Sequence, residues 1–512
     1  MRKIAAAFMV GALMTGGAFA QGAGPLLVRT DYGAVRGTQR HGVAFFGGIP
    51  YAAPPVGSGR WRAPVAPAPW KTARDASTSG PDCPQPARDG REAGPQSEDC
   101  LTLNVATPST NARNLPVLVS IHGGAYFVGS GKELFALGVP PIVSKGVVLV
   151  APNYRLGRLG FFSHPALTNE AKKANSNYWL MDQVAALKWV RRNIARFGGD
   201  PNNVTIIGCS AGGSSVNALV ASPEARELFA RASVHSGGGL FNANRPLAQA
   251  EEQGIAFAKR VGVIDTSATG LSRLRKLSVA DVLGGDKGAP DFGAVVDGTW
   301  LEAPISVSLA RGQFSHVPLM TGSTSNEASV FGLMGFGRET LEKRFNLNFA
   351  ALEPAYGPLP SAEFLRQVQT DFIFTASSMG MTQLAVRSGD TAWSYHFDYV
   401  NSARRGTVPG PSHCEDMGYW FGQLQNPSAD DQRISATLQQ YLLNYVRNGN
   451  PNGPGLPEWT PVTAGTASPL VVDSSGFHVV PNFRARQLSP LYAKWEADTG
   501  HTLGFASTAA SR

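Results

Sequence analysis

The chain has 512 residues, of which 43% are hydrophobic and 16% charged, with 58 glycines and 36 prolines. This composition is typical of a folded protein with a large core and many loops, and it excludes an extensively disordered chain. The formal net charge of +8 favours anionic partners only weakly and is equally explained by solubility, so we expect no nucleic-acid partner.

The amino terminus has the three-part pattern of a secretory signal peptide. Arg2 and Lys3 precede an apolar run over residues 4–13, and small residues end at Ala20. We expect cleavage after Ala20 and export to the periplasm or the medium, which lowers the formal charge to +6 by removing two cations. The run is well short of the roughly 20 apolar residues that span a bilayer, so we expect no membrane span. Residues 21–512 show no repeat or linker, which favours a single domain.

The first part of the mature chain alternates short extended pieces with turns. Residues 26–29 and 42–46 are extended and are separated by Gly-rich and Pro-rich turns, which predicts an antiparallel meander at a sheet edge. Residues 46–55 are irregular and predict a packed loop. Cys83 and Cys100 then bracket a polar segment that contains Arg88, Asp89, Arg91 and Glu92, and in an exported protein this favours a disulfide-closed loop.

Two buried strands follow, over residues 101–105 and 115–121, and the second ends at His122-Gly123-Gly124. Two glycines after a buried strand leave backbone amides that can approach a ligand closely. Gly123 and Gly124 are therefore candidate donors of an oxyanion hole. For His122 we favour a supporting role in this loop over a catalytic one.

The next elements predict a parallel sheet. A strand at 147–150 is followed by apolar residues at helical spacing from Leu180 to Phe197, with Gly198 as the stop signal, and then by a strand at 204–207. The order strand, helix, strand implies a right-handed parallel crossover. Further buried strands are predicted at 232–235, 317–321 and 392–397.

The strand at 204–207 runs into Gly208-Cys209-Ser210-Ala211-Gly212, a Gly-x-Ser-x-Gly sequence. This pattern places a serine at the apex of a strained turn between a strand and a helix, with glycines where neighbouring backbone passes closely. Ser210 is the candidate nucleophile. The amide of Ala211, at the start of the helix, faces any negative charge that develops on a substrate oxygen.

Together these segments resemble the type B carboxylesterase and cholinesterase family of α/β-hydrolases. The resemblance extends from near the start of the mature chain to about Gly422, and the matching segments are residues 46–52, 97–105, 122–124, 153–157, 182–183, 197–201 and the serine turn. It implies an α/β-hydrolase fold, in which helices flank a mostly parallel central sheet and helical insertions, here roughly residues 240–383, form the substrate pocket.

The resemblance also implies the partners of Ser210. The family's acid follows a strand ending in Thr-Gly, which places it at Glu327, and its histidine precedes an acidic residue and an aromatic-Gly segment, which places it at His413. The order serine, acid, histidine is that of α/β-hydrolases. Asp297 and His396 are rival candidates, and we favour Glu327 because the segment around Asp297 matches a non-catalytic stretch of the family.

Three residues depart from the family pattern: Cys209 replaces Glu, and Ala328 and Cys414 replace Gly. The resemblance pairs Cys83 with Cys100, which leaves Cys209 and Cys414. If Ser210 and His413 are within hydrogen-bond reach, their sequence neighbours are close enough to bridge, as in the similar Cys-Ser and His-Cys arrangement of tannase-like esterases. The alternative is a pair of free buried thiols.

The leading hypothesis is a secreted serine carboxylesterase that forms an acyl-enzyme on small-molecule esters and needs no metal or other cofactor. A lipase, or a tannase-type or feruloyl-type esterase of aryl or polyacid esters, is the alternative, and a cholinesterase-like binding protein is the non-enzyme alternative. In lipases of the family that the sequence resembles, the loop equivalent to Cys83–Cys100 is an apolar lid, and in its cholinesterases an aromatic residue of this loop helps to bind the cation. Here the segment is polar and lacks aromatic residues, so we expect neither interfacial activation nor good turnover of choline esters. The sequence leaves the oligomeric state open.

Overall fold

The computed structural model describes residues 26–87, 94–173, 176–241, 244–286 and 292–505, with the backbone alone at 333 and 334. The predicted signal peptide and the polar residues Arg88, Asp89, Arg91 and Glu92 lie outside the described residues.

The strands of the described chain are numbered in order. They are β1 (Leu27–Arg29), β2 (Ala34–Arg36), β3 (Thr38–Arg40), β4 (Val43–Pro50), β5 (Arg74–Asp75), β6 (Thr102–Thr107), β7 (Leu115–Ile121), β8 (Val148–Pro152), β9 (Gly199–Cys209), β10 (Arg231–His235), β11 (Arg245–Pro246), β12 (Val295–Val296), β13 (Leu319–Thr324), β14 (Ala392–Phe397), β15 (Leu470–Asp473) and β16 (Gly476–Val479).

The α-helices are numbered in the same way. They are α1 (Gly157–Gly160), α2 (Pro165–Ala171), α3 (Tyr178–Asn193), α4 (Ala211–Ala221), α5 (Leu247–Arg260), α6 (Ala268–Arg275), α7 (Val279–Gly284), α8 (Ile305–Ala310), α9 (Phe331–Met334), α10 (Arg338–Phe345), α11 (Phe349–Tyr356), α12 (Ser361–Thr370), α13 (Ala376–Arg387), α14 (Asp416–Phe421), α15 (Ala429–Asn448) and α16 (Ala485–Thr499). Within the described ranges, none of these helices is both long and apolar enough to cross a membrane.

An eleven-stranded sheet in the order β16-β15-β14-β13-β10-β9-β7-β8-β6-β4-β3 organises the fold. Neighbouring strands pair in parallel from β15 through β8, and pairing is antiparallel towards both edges. The carboxyl ends of the parallel strands therefore share one edge of the sheet, which is where open α/β sheets bind ligands.

Both faces of the sheet are buried, as expected for parallel strands. Successive residues of β7 alternate between two cores, because side chains of a strand point to opposite faces in turn. Val117 and Val119 belong to the core that includes Val184 of α3, whereas Leu118 belongs to the core that includes Leu438 of α15. The observed architecture is the predicted α/β-hydrolase fold.

Element boundaries differ from the sequence predictions in specific places. The predicted helix reaching Phe197 ends as an α-helix at Asn193 and continues as a 3₁₀ turn, and Gly198 ends it at a φ of 88°. The predicted loop starting at Phe46 is wrong in part, because β4 continues to Pro50 with an irregular pairing between Phe46 and Ile49. The meander is also wrong in part, because β1 pairs with β2 in a separate three-stranded sheet.

Candidate active site

Ser210 lies at a sharp turn between β9 and α4, with a φ of 59° and a ψ of −127°. A Cβ atom on Gly208 would lie 2.4 Å from the carbonyl carbon of Gly212, and one on Gly212 would lie 2.2 Å from the carbonyl oxygen of Ile121. Both obstacles are backbone atoms, which cannot move aside as a side chain can. The predicted close approach of backbone at these glycines is confirmed.

Backbone hydrogen bonds fix the turn on both sides of the serine. The Ser210 amide donates to the carbonyl oxygen of His235 in β10 at 3.0 Å, and the Ser214 amide donates to the Ser210 carbonyl at 2.8 Å. The neighbouring strand and the first turn of α4 thus hold Ser210 in its unusual conformation, which is stable only when its surroundings determine it.

Glu327 follows β13 in a 3₁₀ turn (Glu327–Val330) and is fully buried. Its Oε1 accepts hydrogen bonds from Ser236 Oγ at 2.6 Å and from the Thr324 amide at 2.7 Å. Its Oε2 bonds Nδ1 of His413. A buried carboxylate needs such partners to offset its lost hydration, and here they direct one oxygen towards the histidine ring.

His413 lies in the loop before α14, and its amide donates to Ser329 Oγ at 2.9 Å. Its Nε2 atom is buried and has no hydrogen-bond partner within the described chain. His413 and Ser210 line the same cavity. The structure therefore brings Ser210, Glu327 and His413 into one site, with Glu327 on the Nδ1 side and the second nitrogen left for another partner.

Both predicted disulfides are present. Cys209 bonds Cys414 with a Cα separation of 6.0 Å, and Cys83 bonds Cys100 with a Cα separation of 5.0 Å. The described residues include no free cysteine. Because Cys209 precedes Ser210 and Cys414 follows His413, the first bridge joins the two loops that carry these side chains, and the alternative of two buried thiols is wrong.

The loop after β7 lies against the serine turn. A Cβ atom on Gly123 would lie 3.3 Å from Ser210 Cβ, and Gly124 has a φ of 104°, which favours glycine. Across the described residues, nothing accepts a hydrogen bond from the amides of Gly123, Gly124 or Ala211. Unpaired amides beside a serine can bind a developing oxyanion.

Comparison with known proteins agrees with this geometry. Residues 24–356 and 358–488 match the carboxylesterase family. The chain belongs to the carboxylesterase family.

The chain is 34% identical over 488 residues to the para-nitrobenzyl esterase of Bacillus subtilis, an alignment that covers 88% of this chain and 95% of that protein. It is 38% identical over 477 residues to the fumonisin B1 esterase of Sphingopyxis macrogoltabida, with 88% and 87% covered. The structure of a thermophilic para-nitrobenzyl esterase superposes with a TM-score of 0.81 at 31% identity, over 91% of this chain and 99% of that one. The protein is a serine hydrolase that acts on carboxylic esters.

Asp297, the other candidate for the catalytic acid of this carboxylesterase, stabilises a turn. Asp297 Oδ1 accepts from the amides of Thr299, Trp300 and Leu301 at 2.7–3.2 Å, and Oδ2 accepts from Asn177 Nδ2 at 2.8 Å. These contacts engage both oxygens, and Asp297 does not line the cavity with Ser210.

The rival histidine lies in another cavity. His396 Nδ1 contacts Ser323 Oγ at 3.3 Å, and the ring packs on Phe483 with centroids 4.7 Å apart. Burial, with a smaller contribution from the Arg484 cation, lowers the pKa of His396 to about 3. A neutral imidazole in that position has the features of a core residue.

The cavity beside Ser210 has a volume of about 230 Å³. Aromatic and aliphatic side chains form most of its wall, and most of them come from the region between residues 240 and 383 that was predicted to form the pocket; among them are Phe292, Ile305, Phe331, Phe336, Phe345, Ile373 and Phe374. Phe374 lies in a π-helical turn (Asp371–Thr375), and its ring centroid is 4.9 Å from that of His413. Such turns interrupt helices frequently at functional sites.

One residue of the site was missed by the sequence analysis. Ala125 lines the cavity with Ser210 and Ala211, whereas Gly123 lines a second cavity behind the loop. Ala125 has a φ of 52°, which is uncommon for a residue with a side chain. The Gly-Gly pair marks only positions 123 and 124 in the sequence, whereas the loop lines the cavity at Ala125.

Proposed function

We propose that this carboxylesterase works through an acyl-enzyme on Ser210, with His413 as the general base and Glu327 as the residue that orients it. The observation that carries this proposal is the bond between Glu327 and Nδ1 of His413 in a site where Nε2 is unpartnered and Ser210 lines the same cavity. A carboxylate on Nδ1 selects the tautomer whose Nε2 can accept a proton.

The reaction follows from these positions. Ser210 Oγ attacks the ester carbonyl carbon while its proton passes to His413 Nε2, and the carbonyl oxygen becomes an anion. The amides of Gly124, Ala211 and either Gly123 or Ala125 stabilise that anion. The tetrahedral intermediate expels the alcohol, which takes the proton from His413, and water then repeats the sequence on the acyl-enzyme to release the carboxylic acid.

The substrate class is set by the cavity wall. A cavity of this volume with a mostly apolar wall favours esters whose acyl or alcohol part is a small apolar or aromatic group. Arg245 and Arg344 also line the cavity, Arg245 donating to Gln253 Oε1 and Arg344 lying over the ring of Phe336 at 5.2 Å. An ester panel that varies the acyl and alcohol parts independently, with polycarboxylate esters as one arm, measures this preference. Rapid turnover of choline esters, or a sharp rise in rate above the solubility limit of the substrate, contradicts the expectation of poor choline-ester turnover and no interfacial activation.

We also propose that the protein is exported, to the periplasm or the medium. Two disulfides in one chain are typical of proteins that fold in an oxidising compartment. Amino-terminal sequencing of the protein recovered from periplasm or medium should begin at Gln21. Recovery of the active protein from the cytosol with Met1 intact contradicts export.

The mechanism is tested by hydrolysis of p-nitrophenyl acetate. Replacing Ser210 by alanine should lower kcat by about four or more orders of magnitude, as removal of a serine nucleophile does elsewhere. Ser214→Ala is the matched control, because Ser214 lines the same cavity one helical turn away and bonds the Gly237 carbonyl at 2.6 Å. It should lose less than about tenfold, since it removes a hydrogen bond and no reacting group. Turnover by Ser210→Ala close to that of the wild type contradicts the assignment of Ser210 as the nucleophile.

A further inference from the structure

The side chains of His122 and Tyr154 lie against the backbone of the loop formed by residues 122–125, and they take no part in the reaction scheme above. Their rings stack with centroids 4.3 Å apart and planes 16° apart. The Tyr154 hydroxyl donates to the carbonyl oxygen of His122 at 2.9 Å, and His122 Nδ1 lies 2.9 Å from the carbonyl oxygen of Gly123. Two consecutive carbonyls of the loop are thus bound by two stacked side chains.

The contact with Gly123 defines the protonation of the histidine. A carbonyl oxygen only accepts hydrogen bonds, so Nδ1 of His122 carries the proton. Burial lowers the pKa of His122 to about 4, so the ring is neutral at neutral pH and Nε2 is unprotonated. His122 is therefore a fixed neutral donor to the loop.

Because each peptide unit is planar, a contact that fixes a carbonyl group also fixes the N–H of the following residue. In a trans peptide the carbonyl and the following N–H point in opposite directions, and no peptide of the described chain is cis. The bond to the Gly123 carbonyl consequently fixes the direction of the Gly124 N–H, and the bond to the His122 carbonyl fixes that of Gly123. The Gly124 carbonyl accepts from the amides of Phe127 and Val128 at 3.1 and 3.0 Å, which fixes Ala125 in the same way.

We propose that His122, held by Tyr154, is a positioning residue that fixes the Gly124 amide in the direction required to bind the oxyanion, an inference that rests on the proposed acyl-enzyme mechanism. Gly123 and Gly124 rotate more freely than residues with side chains, so the plane between them needs an external constraint. A donor that is oriented before reaction stabilises the transition state without the cost of reorganisation.

Gly129 packs directly against the hydrogen bond between His122 Nδ1 and the Gly123 carbonyl. A Cβ atom on Gly129 would lie 2.5 Å from His122 Nδ1 and 2.6 Å from the Gly123 oxygen. The Gly129 amide donates to Gln85 Oε1 at 2.8 Å, and Gln85 Nε2 donates to the Gly129 carbonyl at 3.0 Å. Because Gln85 follows Cys83 closely, the start of the segment between Cys83 and Cys100 contacts the backbone beside this hydrogen bond.

The test compares two quantities that depend on the oxyanion. One is kcat/KM for p-nitrophenyl acetate, and the other is the inhibition constant of a trifluoromethyl ketone. Ser210 Oγ adds to the ketone carbon, its proton passes to His413, and the resulting hemiketal oxygen carries the negative charge. Both quantities are measured for the wild type, His122→Leu, His122→Asn, Tyr154→Phe and Tyr51→Phe. Tyr51 is the matched control, because its buried hydroxyl donates to the neighbouring Asn153 carbonyl at 2.7 Å.

In His122→Leu, kcat/KM should fall and the ketone inhibition constant should rise by the same factor of about 100, near the cost of losing one oxyanion donor. KM should change little. His122→Asn places an amide donor near the Nδ1 position and should lose no more than about tenfold, with Tyr154→Phe in between and Tyr51→Phe within about twofold of the wild type.

Wild-type kcat/KM in His122→Leu, or a loss of kcat/KM with unchanged ketone affinity, overturns the positioning role. If His122→Leu does not fold, Tyr154→Phe provides the same paired measurement. Ser210→Ala is assayed in parallel: turnover by this variant contradicts the mechanism itself, whereas its inactivity together with a wild-type-like His122→Leu contradicts only the positioning role.

Discussion

The nucleophile half and the histidine half of the site are held by different kinds of contact. The nucleophile half, residues 208–212, is fixed mainly by backbone packed against backbone, as at Gly212 against Ile121. The histidine half, residues 322–329 and 410–416, is fixed largely by side chains, including Ser236 and Ser329, and by the Cys209–Cys414 bridge. The first half resists change in shape, while the second depends on individual hydrogen bonds that single substitutions remove.

Glu327→Gln should give the largest loss of kcat among the substitutions compared below. The amide cannot stabilise an imidazolium and favours the wrong tautomer of His413, so kcat should fall by about 10⁴-fold, as for the corresponding change in serine proteases, with little effect on KM. Steady-state kinetics with p-nitrophenyl acetate measure this.

Asp297→Asn is the control for that change. It perturbs the turn contacts of Asp297 and should lower the free energy of unfolding by about 1–3 kcal/mol while leaving kcat close to that of the wild type. A larger loss of kcat in Asp297→Asn than in Glu327→Gln would reverse the assignment of the acid.

Gly212→Ala and Gly410→Ala compare the two halves directly. The new Cβ meets the Ile121 carbonyl at 2.2 Å in the first variant and the Ser325 hydroxyl at 2.4 Å in the second. Backbone cannot give way, so Gly212→Ala should destabilise by about 3 kcal/mol or more and abolish most activity, whereas rotation of Ser325 should keep the cost of Gly410→Ala below about 1 kcal/mol. Thermal unfolding and kcat measure both, and equal losses would remove the distinction between the halves.

Cys209→Ser and Cys414→Ser should each lower kcat by about tenfold and leave KM nearly unchanged, because His413 loses its tether to the nucleophile turn. The bridge spans 205 residues, so the chain-entropy model also gives a stability loss of up to about 5 kcal/mol. Cys100→Ser opens only the local Cys83 loop and is the control. If both single variants keep wild-type kcat, the bridge serves stability alone.

His396→Asn should have the smallest effect, confined to the pH dependence of stability. The folded-state pKa of about 3 lies below the unfolded value of about 6.5, so the unfolded chain binds the proton first. The contribution of His396 to stability is complete above pH 6.5 and is lost as the pH falls towards 3. His396→Asn should flatten the fall in urea midpoint between pH 6.5 and 4 without changing kcat at neutral pH. A loss of kcat comparable to that of Glu327→Gln would identify His396 as catalytic.

The same difference between the halves explains what the sequence could predict. The strand 115–121 and the Gly-x-Ser-x-Gly turn could be predicted locally, because a continuous apolar run and a fixed glycine spacing are visible in a short stretch of sequence. Glu327 and His413 are 86 residues apart and could be assigned only by family resemblance. The structure brings them together through the ordering of β13 and β14, which no local pattern specifies.

Ala125 and the His122–Tyr154 stack were beyond sequence reasoning for a related reason. Ala125 has no glycine to mark its positive φ, and the pairing of His122 with Tyr154 joins the ends of two neighbouring strands, β7 and β8. The cavity wall was predicted only as a region, because the side chains that reach Ser210 depend on how its helices pack and on the π-helical turn at Phe374.

The most direct test of the joined halves is a peptide map without reduction after labelling with a p-nitrophenyl phosphonate, which phosphonylates an activated serine. Trypsin should release residues 197–226 and 406–433, since arginines precede and end both segments. We predict one cross-linked pair, with the phosphonyl group on Ser210 and a bridge between Cys209 and Cys414. A label on any other residue, or alkylation of Cys209 and Cys414 as free thiols, would contradict the account.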